Sequence, residues 1–182
     1  MTTPIEDIPE LVRSEVVHRG YPFDVTVDTL RVEGGGEVQR SIARHPGAVA
    51  LVALDEQGRW VLVRQYRHPA QRWLLEIPAG TLEAGESPEV TAARELREET
   101  GFAASSVERL GGTWMAPGFC TEYITYFLAT GLTADPLPQD ADESLSEPLY
   151  LSMAELRAAV VSGEIEDAKT LVAMQLMALR AG

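Results

Sequence analysis

GTLEAGESPEVTAARELREETGF, at residues 80–102, decides how the rest of the chain is interpreted, because its second half has the composition and the end signals of a helix. Ser87 is suited to an N-cap and is followed by Pro88, a residue favoured at the first helical position. Good helix formers, mainly Glu, Arg and Ala, fill the following turns. Gly101 stands where a C-terminal cap places a glycine. The stretch therefore predicts a helix that begins after Ser87 and ends at Gly101.

Three glutamates share one face of this predicted helix, because Glu95 lies three and four residues before Glu98 and Glu99. A cluster of acidic side chains is most often a solvated surface, since exposed charges cost little. The same cluster also suits a hard divalent cation such as Mg2+, which binds carboxylate oxygens. The three glutamates alone leave both interpretations open.

Fixed spacings around the cluster favour the cation. Gly80 is followed by five residues, Glu86, seven further residues and then RELREETGF at 94–102. This pattern resembles the Nudix box, so the chain is similar to the Nudix hydrolases. The resemblance implies an α+β fold, an α/β/α sandwich with a mixed central sheet, a loop-helix-loop at the box and a small N-terminal antiparallel sheet.

The resemblance also implies roles for the residues of the box. Metal ligands would be Glu95, Glu98, Glu99 and the carbonyl oxygen of Ala79. Arg94 would pair with a glutamate of the box and fix its orientation. Glu86 would pair with Arg94 or hold the metal through water. The expected cofactor is Mg2+, with Mn2+ able to substitute.

Composition limits the class of protein. The chain has 182 residues, 45% of them hydrophobic, and a net charge of −13. This charge argues against nucleic acid or an anionic membrane as a main partner. The single cysteine, Cys120, excludes an internal disulfide and fits a reducing compartment. With no membrane span and no signal peptide in the sequence, the expected location is the cytoplasm.

The chain before the core predicts a loosely ordered arm over residues 1–15 and a small antiparallel sheet over 16–44. FDVTVDTLRV alternates apolar with polar residues, GGG at 34–36 supplies a turn, and EVQRSIAR returns. This part resembles the N-terminal sheet of ADP-ribose pyrophosphatases, which is exchanged between two subunits. We therefore expect residues 1–44 to form a homodimer and 45–182 to form the hydrolase domain. A plain edge hairpin is the alternative.

Three strands are predicted between this sheet and the box, at 47–54, 59–67 and 73–80. Arg64 and Arg67 lie three apart on the second, so they point to opposite faces. On the third, Glu76 lies among apolar residues and needs a partner, for which Arg67 and Arg64 are the candidates. A tight turn is expected at 78–80, where this strand leads into the box.

Pro117 lies sixteen residues beyond Gly101. In this position the chain resembles the ADP-ribose pyrophosphatase subgroup of the Nudix hydrolases, which has a proline at this spacing. This resemblance implies that the substrate is bound by Arg44, Arg67, Glu76, Pro117, Gly118 and Phe119. The nucleobase remains open, because EVQRSIAR offers no aromatic side chain to complement Tyr21 and Phe23. Trp114 and Phe119 are the alternative aromatic contacts.

The acidic loop at 140–147 resembles the loop that carries the general base in this subgroup. Glu143 is the expected base, with Glu147 and Asp142 as alternatives. A long strand, YITYFLAT, is predicted before this loop, and after it come a short strand, PLYLS, and helices at 153–163 and 166–181. The last helix is expected to bury Leu171, Met174, Leu176 and Met177.

The resemblance as a whole predicts metal-dependent hydrolysis of the diphosphate bond of a nucleoside diphosphate sugar. ADP-ribose, cleaved to AMP and ribose 5-phosphate, is the leading substrate, and the catalytic residues would be Glu143, Glu98 and Arg94. The alternatives are hydrolysis of GDP-mannose or another nucleoside diphosphate derivative, hydrolysis of a nucleoside triphosphate, and a non-catalytic sensor of nucleotide sugars.

Overall fold

The computed structural model describes residues 8–139 and 144–181. These residues form two units. The first contains the described residues up to 47 together with 114–123. The second contains 48–113 and the described residues from 124 onward. Asp142 and Glu143 lie outside the described residues.

The first unit contains a three-stranded antiparallel sheet of order β1-β2-β3. Its strands are β1 (Glu10–His18), β2 (Asp24–Arg31) and β3 (Glu37–Arg44). The predicted antiparallel sheet is therefore confirmed. Residues 10–15, expected to belong to a loosely ordered arm, instead form the start of β1. The start of this strand was not predicted, because all nine residues of β1 are exposed and its sequence therefore lacks the apolar alternation of a half-buried strand.

The segment at 114–123 belongs to the first unit because it is hydrogen-bonded to the end of β3. The amide of Ala43 donates to the carbonyl of Phe119 at 2.8 Å, and the amide of Thr121 donates to the carbonyl of Ala43 at 2.9 Å. These bonds place the backbone of Phe119 against Ala43, the residue before Arg44 at the end of β3. Two groups of predicted substrate-binding residues are thereby brought together within this unit.

The second unit contains a sheet of order β10-β5-β4-β9-β8, with β6 on β5 and β7 on β4. β4 and β9 are parallel, whereas β4 pairs antiparallel with β5 and β7, which confirms the predicted mixed sheet. The strands are β4 (Ala48–Leu54), β5 (Trp60–Arg67), β6 (Arg72–Glu76), β7 (Ala79–Thr81), β8 (Phe102–Trp114), β9 (Tyr123–Ala134) and β10 (Leu149–Leu151). The helices are α1 (Pro88–Thr100), α2 (Met153–Ser162) and α3 (Ala168–Ala181).

Both faces of this sheet are covered at β4, whose AVALVAL sequence has no polar alternation. Val49 and Leu51 pack with Ala92 and Leu96 of α1 in one apolar cluster. Residues that alternate with them in β4, such as Val52, are equally buried. A strand buried on both faces lies between two layers, as the predicted α/β/α sandwich requires. The described helices include none that is long and apolar enough to cross a membrane.

The helix of the box has the predicted ends. Ser87 is its N-cap and accepts a hydrogen bond from the amide of Val90 at 3.4 Å, and Pro88 is its first residue. Gly101 caps the other end with φ of 76°, a left-handed conformation that glycine adopts without strain. The local sequence therefore specifies both ends of α1.

Three expectations about regular structure were wrong. The stretch at 73–80 is not one strand, because it divides into β6 and β7 at Ile77 and Pro78. The tight turn expected at 78–80 is instead the start of β7, which pairs with β4. Of the apolar face predicted for the last helix, Leu171 is exposed, whereas Met174, Leu176 and Met177 are half-buried. The fully buried residues of this helix are Lys169, Thr170 and Ala173. In addition, β8 is a 13-residue strand that no sequence signal had indicated.

Candidate active site

The carboxylates of α1 face the strand that precedes the box, because α1 packs on β4, β5 and β7. The amide of Ala79, at the start of β7, donates a hydrogen bond to Oε2 of Glu99 at 2.9 Å. Glu99 is only 2% exposed. The residues expected to supply metal ligands from the strand and from the helix are therefore adjacent.

Arg94 joins the other acidic side chains of the box. Its Nη1 donates to Glu95 at 2.7 Å and to Glu98 at 2.8 Å. Its Nη2 and Nε donate to the two carboxylate oxygens of Glu86, at 3.1 and 3.3 Å. The predicted pairing of Arg94 with glutamates of the box is present, and Glu86 takes the first of its two predicted alternatives.

Electrostatics in this cluster favour the ionised forms. Burial alone would lower the pKa of Arg94, but hydrogen bonds to Glu86 and Glu98 raise it above its ordinary value. The hydrogen bond from Arg94 is also the main reason that the pKa of Glu86 is lowered. Arg94 therefore remains a cation, and it holds the carboxylates in fixed orientations.

Gly80 allows the backbone of β7 to approach Glu95. A Cβ atom at residue 80 would lie 1.9 Å from the carboxyl carbon of Glu95, far inside van der Waals contact. The glycine at the start of the box thus has a packing reason. The space that a side chain would fill is taken by a carboxylate.

The chemistry of these side chains fits a hard divalent cation. Four carboxylates, those of Glu86, Glu95, Glu98 and Glu99, come from one helix and its approach, and oxygen ligands of this type suit Mg2+ or Mn2+. Within 8–139 and 144–181, no three His, Cys, Asp or Glu side chains already stand together as a metal site. In the described arrangement Glu86, Glu95 and Glu98 form ion pairs with the guanidinium of Arg94, whereas Glu99 accepts from the amide of Ala79.

A second group of charges lies where β5 and β6 pair. Arg67 donates through Nε and Nη2 to the two oxygens of Glu76, at 2.8 and 2.6 Å. Arg64 instead pairs with Glu164, so Arg67 is the partner that the sequence had left undecided. Glu76 also accepts a hydrogen bond from Lys169 of α3. Sequence reasoning missed Lys169, although the apolar surroundings of Glu76 had indicated the need for cations.

The remaining substrate-binding candidates belong to the first unit. Arg44 donates to Asp28 and, at 3.1 Å, to Thr26. Phe119 is exposed, and Pro117 and Gly118 precede it in the segment bonded to β3. Their binding roles stay predictions.

The aromatic candidates for the nucleobase are exposed, as a contact to a planar base requires. They are Tyr21, Phe23, Trp114 and Phe119. Trp114 packs edge-on against Tyr123 with ring centroids 5.2 Å apart.

The candidates for the catalytic general base are Glu143, Glu147 and Asp142. Only Glu147 lies within the described residues, and it is exposed. The choice among these residues stays a prediction.

Comparison with known proteins settles the family. The model of the NUDIX domain matches residues 43–172, more than half of the chain. The chain belongs to the Nudix family. A Nudix relative named ADP-ribose pyrophosphatase, from Bacillus subtilis (strain 168), is 36% identical over 93% of this chain and 92% of its own length.

Two further relatives are a second ADP-ribose pyrophosphatase and a GDP-mannose pyrophosphatase. An ADP-ribose pyrophosphatase of Mycobacterium tuberculosis (strain ATCC 25618 / H37Rv) is 44% identical over 86% of this chain and 76% of its own. A GDP-mannose pyrophosphatase of Yersinia pestis (strain Pestoides F) is 33% identical over 85% of this chain and 81% of its own.

Among solved structures, the crystal structure of an ADP compounds hydrolase superposes with a TM-score of 0.82. The match covers 94% of this chain and 92% of that one, at 24% identity. At this identity the likeness supports the Nudix fold. The expected fold class is thereby confirmed. The expected class of enzyme, a Nudix pyrophosphohydrolase, is confirmed by the match to the NUDIX domain and by the two relatives named ADP-ribose pyrophosphatase.

Proposed function

We propose that this Nudix protein hydrolyses the diphosphate bond of ADP-ribose and releases AMP and ribose 5-phosphate. The observation that carries the proposal is the convergence of a complete box, in which Ala79 contacts Glu99 and Arg94 contacts the other glutamates. Two relatives named ADP-ribose pyrophosphatase, 36% and 44% identical, support the choice of substrate.

The residues that would hold Mg2+, or Mn2+ in its place, are Glu95, Glu98, Glu99 and the carbonyl oxygen of Ala79. A divalent cation bound there neutralises charge on the diphosphate oxygens and lowers the pKa of a coordinated water. Arg94 contacts both Glu95 and Glu98 and is proposed to keep them aligned, and Glu98 is proposed to act at the reacting phosphate. Glu143 is the proposed base that accepts a proton from the attacking water.

Arg67 is the proposed contact for the anionic part of the substrate. Its side chain is 38% exposed, although two of its nitrogens are held by Glu76. A bidentate carboxylate fixes a guanidinium in one plane and thereby sets the direction in which its remaining edge faces. The exposed part of Arg67 is therefore preorganised for a phosphate or a sugar hydroxyl.

Assembly and location belong to the same proposal. We propose a homodimer, because β1 is an edge strand that leaves large apolar side chains exposed. Exposed apolar edge strands are commonly covered by another chain. We propose a cytoplasmic location, because the single cysteine, Cys120, fits a reducing compartment. No nucleic-acid partner is expected at a net charge of −13.

A substrate panel tests the activity. ADP-ribose, GDP-mannose and dGTP are compared at equal concentrations with Mg2+ or Mn2+, and the released phosphate products are separated by chromatography. The expected result is the highest kcat/KM for ADP-ribose, with AMP as a product. A higher kcat/KM for GDP-mannose or dGTP would contradict the proposed substrate, and binding without turnover of any compound would indicate a sensor.

A further inference from the structure

The charge network around Glu76 extends beyond Arg67 into the last helix. Glu76 is 1% exposed, and its Oε2 accepts hydrogen bonds from both Arg67 and Lys169. Lys169 in turn donates to Asp167 at 3.0 Å. The side chain of Lys169 is 8% exposed. A buried carboxylate with two cations and a second carboxylate forms a neutral group of four charges.

The start of α3 is bound to the strand that carries Glu76. Asp167 accepts from the amide and hydroxyl of Thr170 at 2.9 and 2.6 Å, so it caps the first turn of the helix. The hydroxyl of Thr170 accepts from the amide of Ile77 at 3.0 Å. Two residues beyond Ile77, the amide of Ala79 donates to Glu99. The first turn of α3 is therefore bonded to the backbone directly after β6, two residues before the contact with Glu99.

Exposure separates the roles of the two cations. Arg67 reaches solvent with more than a third of its side chain, whereas Lys169 is enclosed. An anionic substrate that approaches this group would meet Arg67. Its attraction would depend on the sum of all four charges, since Coulomb interactions inside a protein are weakly screened.

The geometry points to Lys169 as a positioning residue for substrate binding, which acts through Glu76 and Arg67 and is aligned by Asp167. Its ammonium group offsets the charge of Glu76, so that the guanidinium of Arg67 remains available to the diphosphate. Without Lys169 the group carries one net negative charge, and Glu76 interacts with Arg67 alone. This inference rests on the proposed function for the identity of the substrate.

A double-mutant cycle tests the inference. Lys169→Met removes the charge and keeps an unbranched side chain of similar length. It is expected to reduce kcat/KM for ADP-ribose about tenfold, a change of about 1.4 kcal/mol, through a higher KM and with kcat nearly unchanged. Lys169→Arg should restore most of the affinity, because it restores the charge. In an Arg67→Met background the effect of Lys169→Met should disappear.

The contrary outcomes are distinct. An equal loss of kcat/KM in both backgrounds would show that Lys169 acts independently of Arg67. A lower melting temperature with unchanged KM would show a purely structural role. Arg64→Gln is the matched control. Like Arg67, Arg64 lies on β5, but it pairs with the exposed Glu164 and not with Glu76. It should leave KM unchanged.

A second variant covers the case in which Lys169→Met does not fold. Asp167→Asn keeps Lys169 but removes one negative charge, so the group of four carries one net positive charge, and KM for ADP-ribose should fall, by a smaller factor than it rises in Lys169→Met. The change should again require Arg67. An unchanged or raised KM in a folded Asp167→Asn protein would overturn the dependence on the summed charge.

Binding without turnover separates this inference from the proposed function. The Kd for ADP-ribose, measured by calorimetry in metal-free buffer, should rise about tenfold from wild type to Lys169→Met. It should not rise further when Lys169→Met is added to Arg67→Met. A wild-type protein that binds but does not cleave ADP-ribose would contradict the proposed function alone. If ADP-ribose does not bind, the same cycle applies to whichever compound of the panel is bound.

Discussion

Glu99 combines burial with a hydrogen bond from the strand opposite, and this combination makes it the most informative residue of the box. Its carboxylate accepts from the amide of Ala79 while almost no part of it reaches solvent. A buried carboxylate is costly unless its charge is compensated. A bound divalent cation would supply such compensation, in addition to the electrostatic interaction of Glu99 with Arg67.

Glu99→Gln should reduce kcat by about a hundredfold or more, because it removes a charge from the proposed ligand set. The amide oxygen of glutamine still accepts from Ala79, so the melting temperature should change little. Steady-state kinetics and thermal unfolding measure the two effects. Glu89→Gln, an exposed position in the first turn of the same helix, is the control. Near-normal turnover in Glu99→Gln would remove the basis of the proposed mechanism.

Gly80→Ala tests the contact between β7 and Glu95. The new Cβ atom overlaps the Glu95 carboxylate, which is buried and held by Arg94, so this carboxylate must move. We expect the Kd for Mn2+, measured by titration calorimetry, to rise about tenfold or more. Gly36→Ala is the control, because its Cβ would meet only Val32 at an ordinary 3.7 Å. An unchanged Kd would show that Glu95 does not need its present position.

At the scale of the element, the small sheet is held by a carboxylate. Asp28 of β2 accepts from Ser14 of β1 at 2.7 Å and from Arg44 of β3, so one side chain links all three strands. Burial alone would raise its pKa. The hydrogen bonds from Ser14 and Arg44 outweigh burial and hold the pKa of Asp28 below its ordinary value of 3.8.

This shift predicts how the stability of the protein depends on pH. A lowered pKa in the folded state means that the ionised form stabilises the fold above pH 3.8, and that the stabilisation is lost as the pH falls through the lower folded value. Asp28→Asn should therefore destabilise the protein by about 1.5–3 kcal/mol at neutral pH. The difference between wild type and variant should shrink at pH values below about 4.

Urea unfolding of both proteins at neutral and acidic pH measures that difference. Asp24→Asn is a suitable control, because Asp24, the first residue of the same strand, is only half-buried and pairs with the exposed Arg19. A difference for Asp28→Asn that is the same at both pH values would contradict the assignment of its charge.

At the scale of the whole molecule, the exposed apolar side chains of β1 predict self-association. Leu11, Val12, Val16 and Val17 are all exposed on β1, which among the described strands pairs only with β2. We expect wild-type protein to sediment as a dimer. The double variant Val12→Lys with Val17→Lys should sediment as a monomer, because charge opposes burial at an interface.

Val161→Lys controls for the added charge, since Val161 is 89% exposed on α2, in the second unit. This variant should remain a dimer. A wild-type protein that sediments as a monomer at micromolar concentration would contradict the proposed assembly.

Sequence alone determined the parts of this protein whose signals are local. Examples are the caps of α1, the spacing of Glu95, Glu98 and Glu99, and the strands β2 to β5, all of which follow from residues within a few positions of one another. Backbone preferences and side-chain periodicity act over this range. The box was therefore recognisable, and with it the family.

Tertiary structure decided what depends on residues distant in the chain. Lys169 and Glu76 are 93 residues apart, and only the packing of α3 against the sheet brings them together. β1 and β8 were not predicted from any apolar periodicity in their own sequences. They form as strands because pairing with neighbouring strands supplies their backbone hydrogen bonds. Nothing local indicates which cation meets a buried carboxylate, because any cation that packing delivers would satisfy its charge.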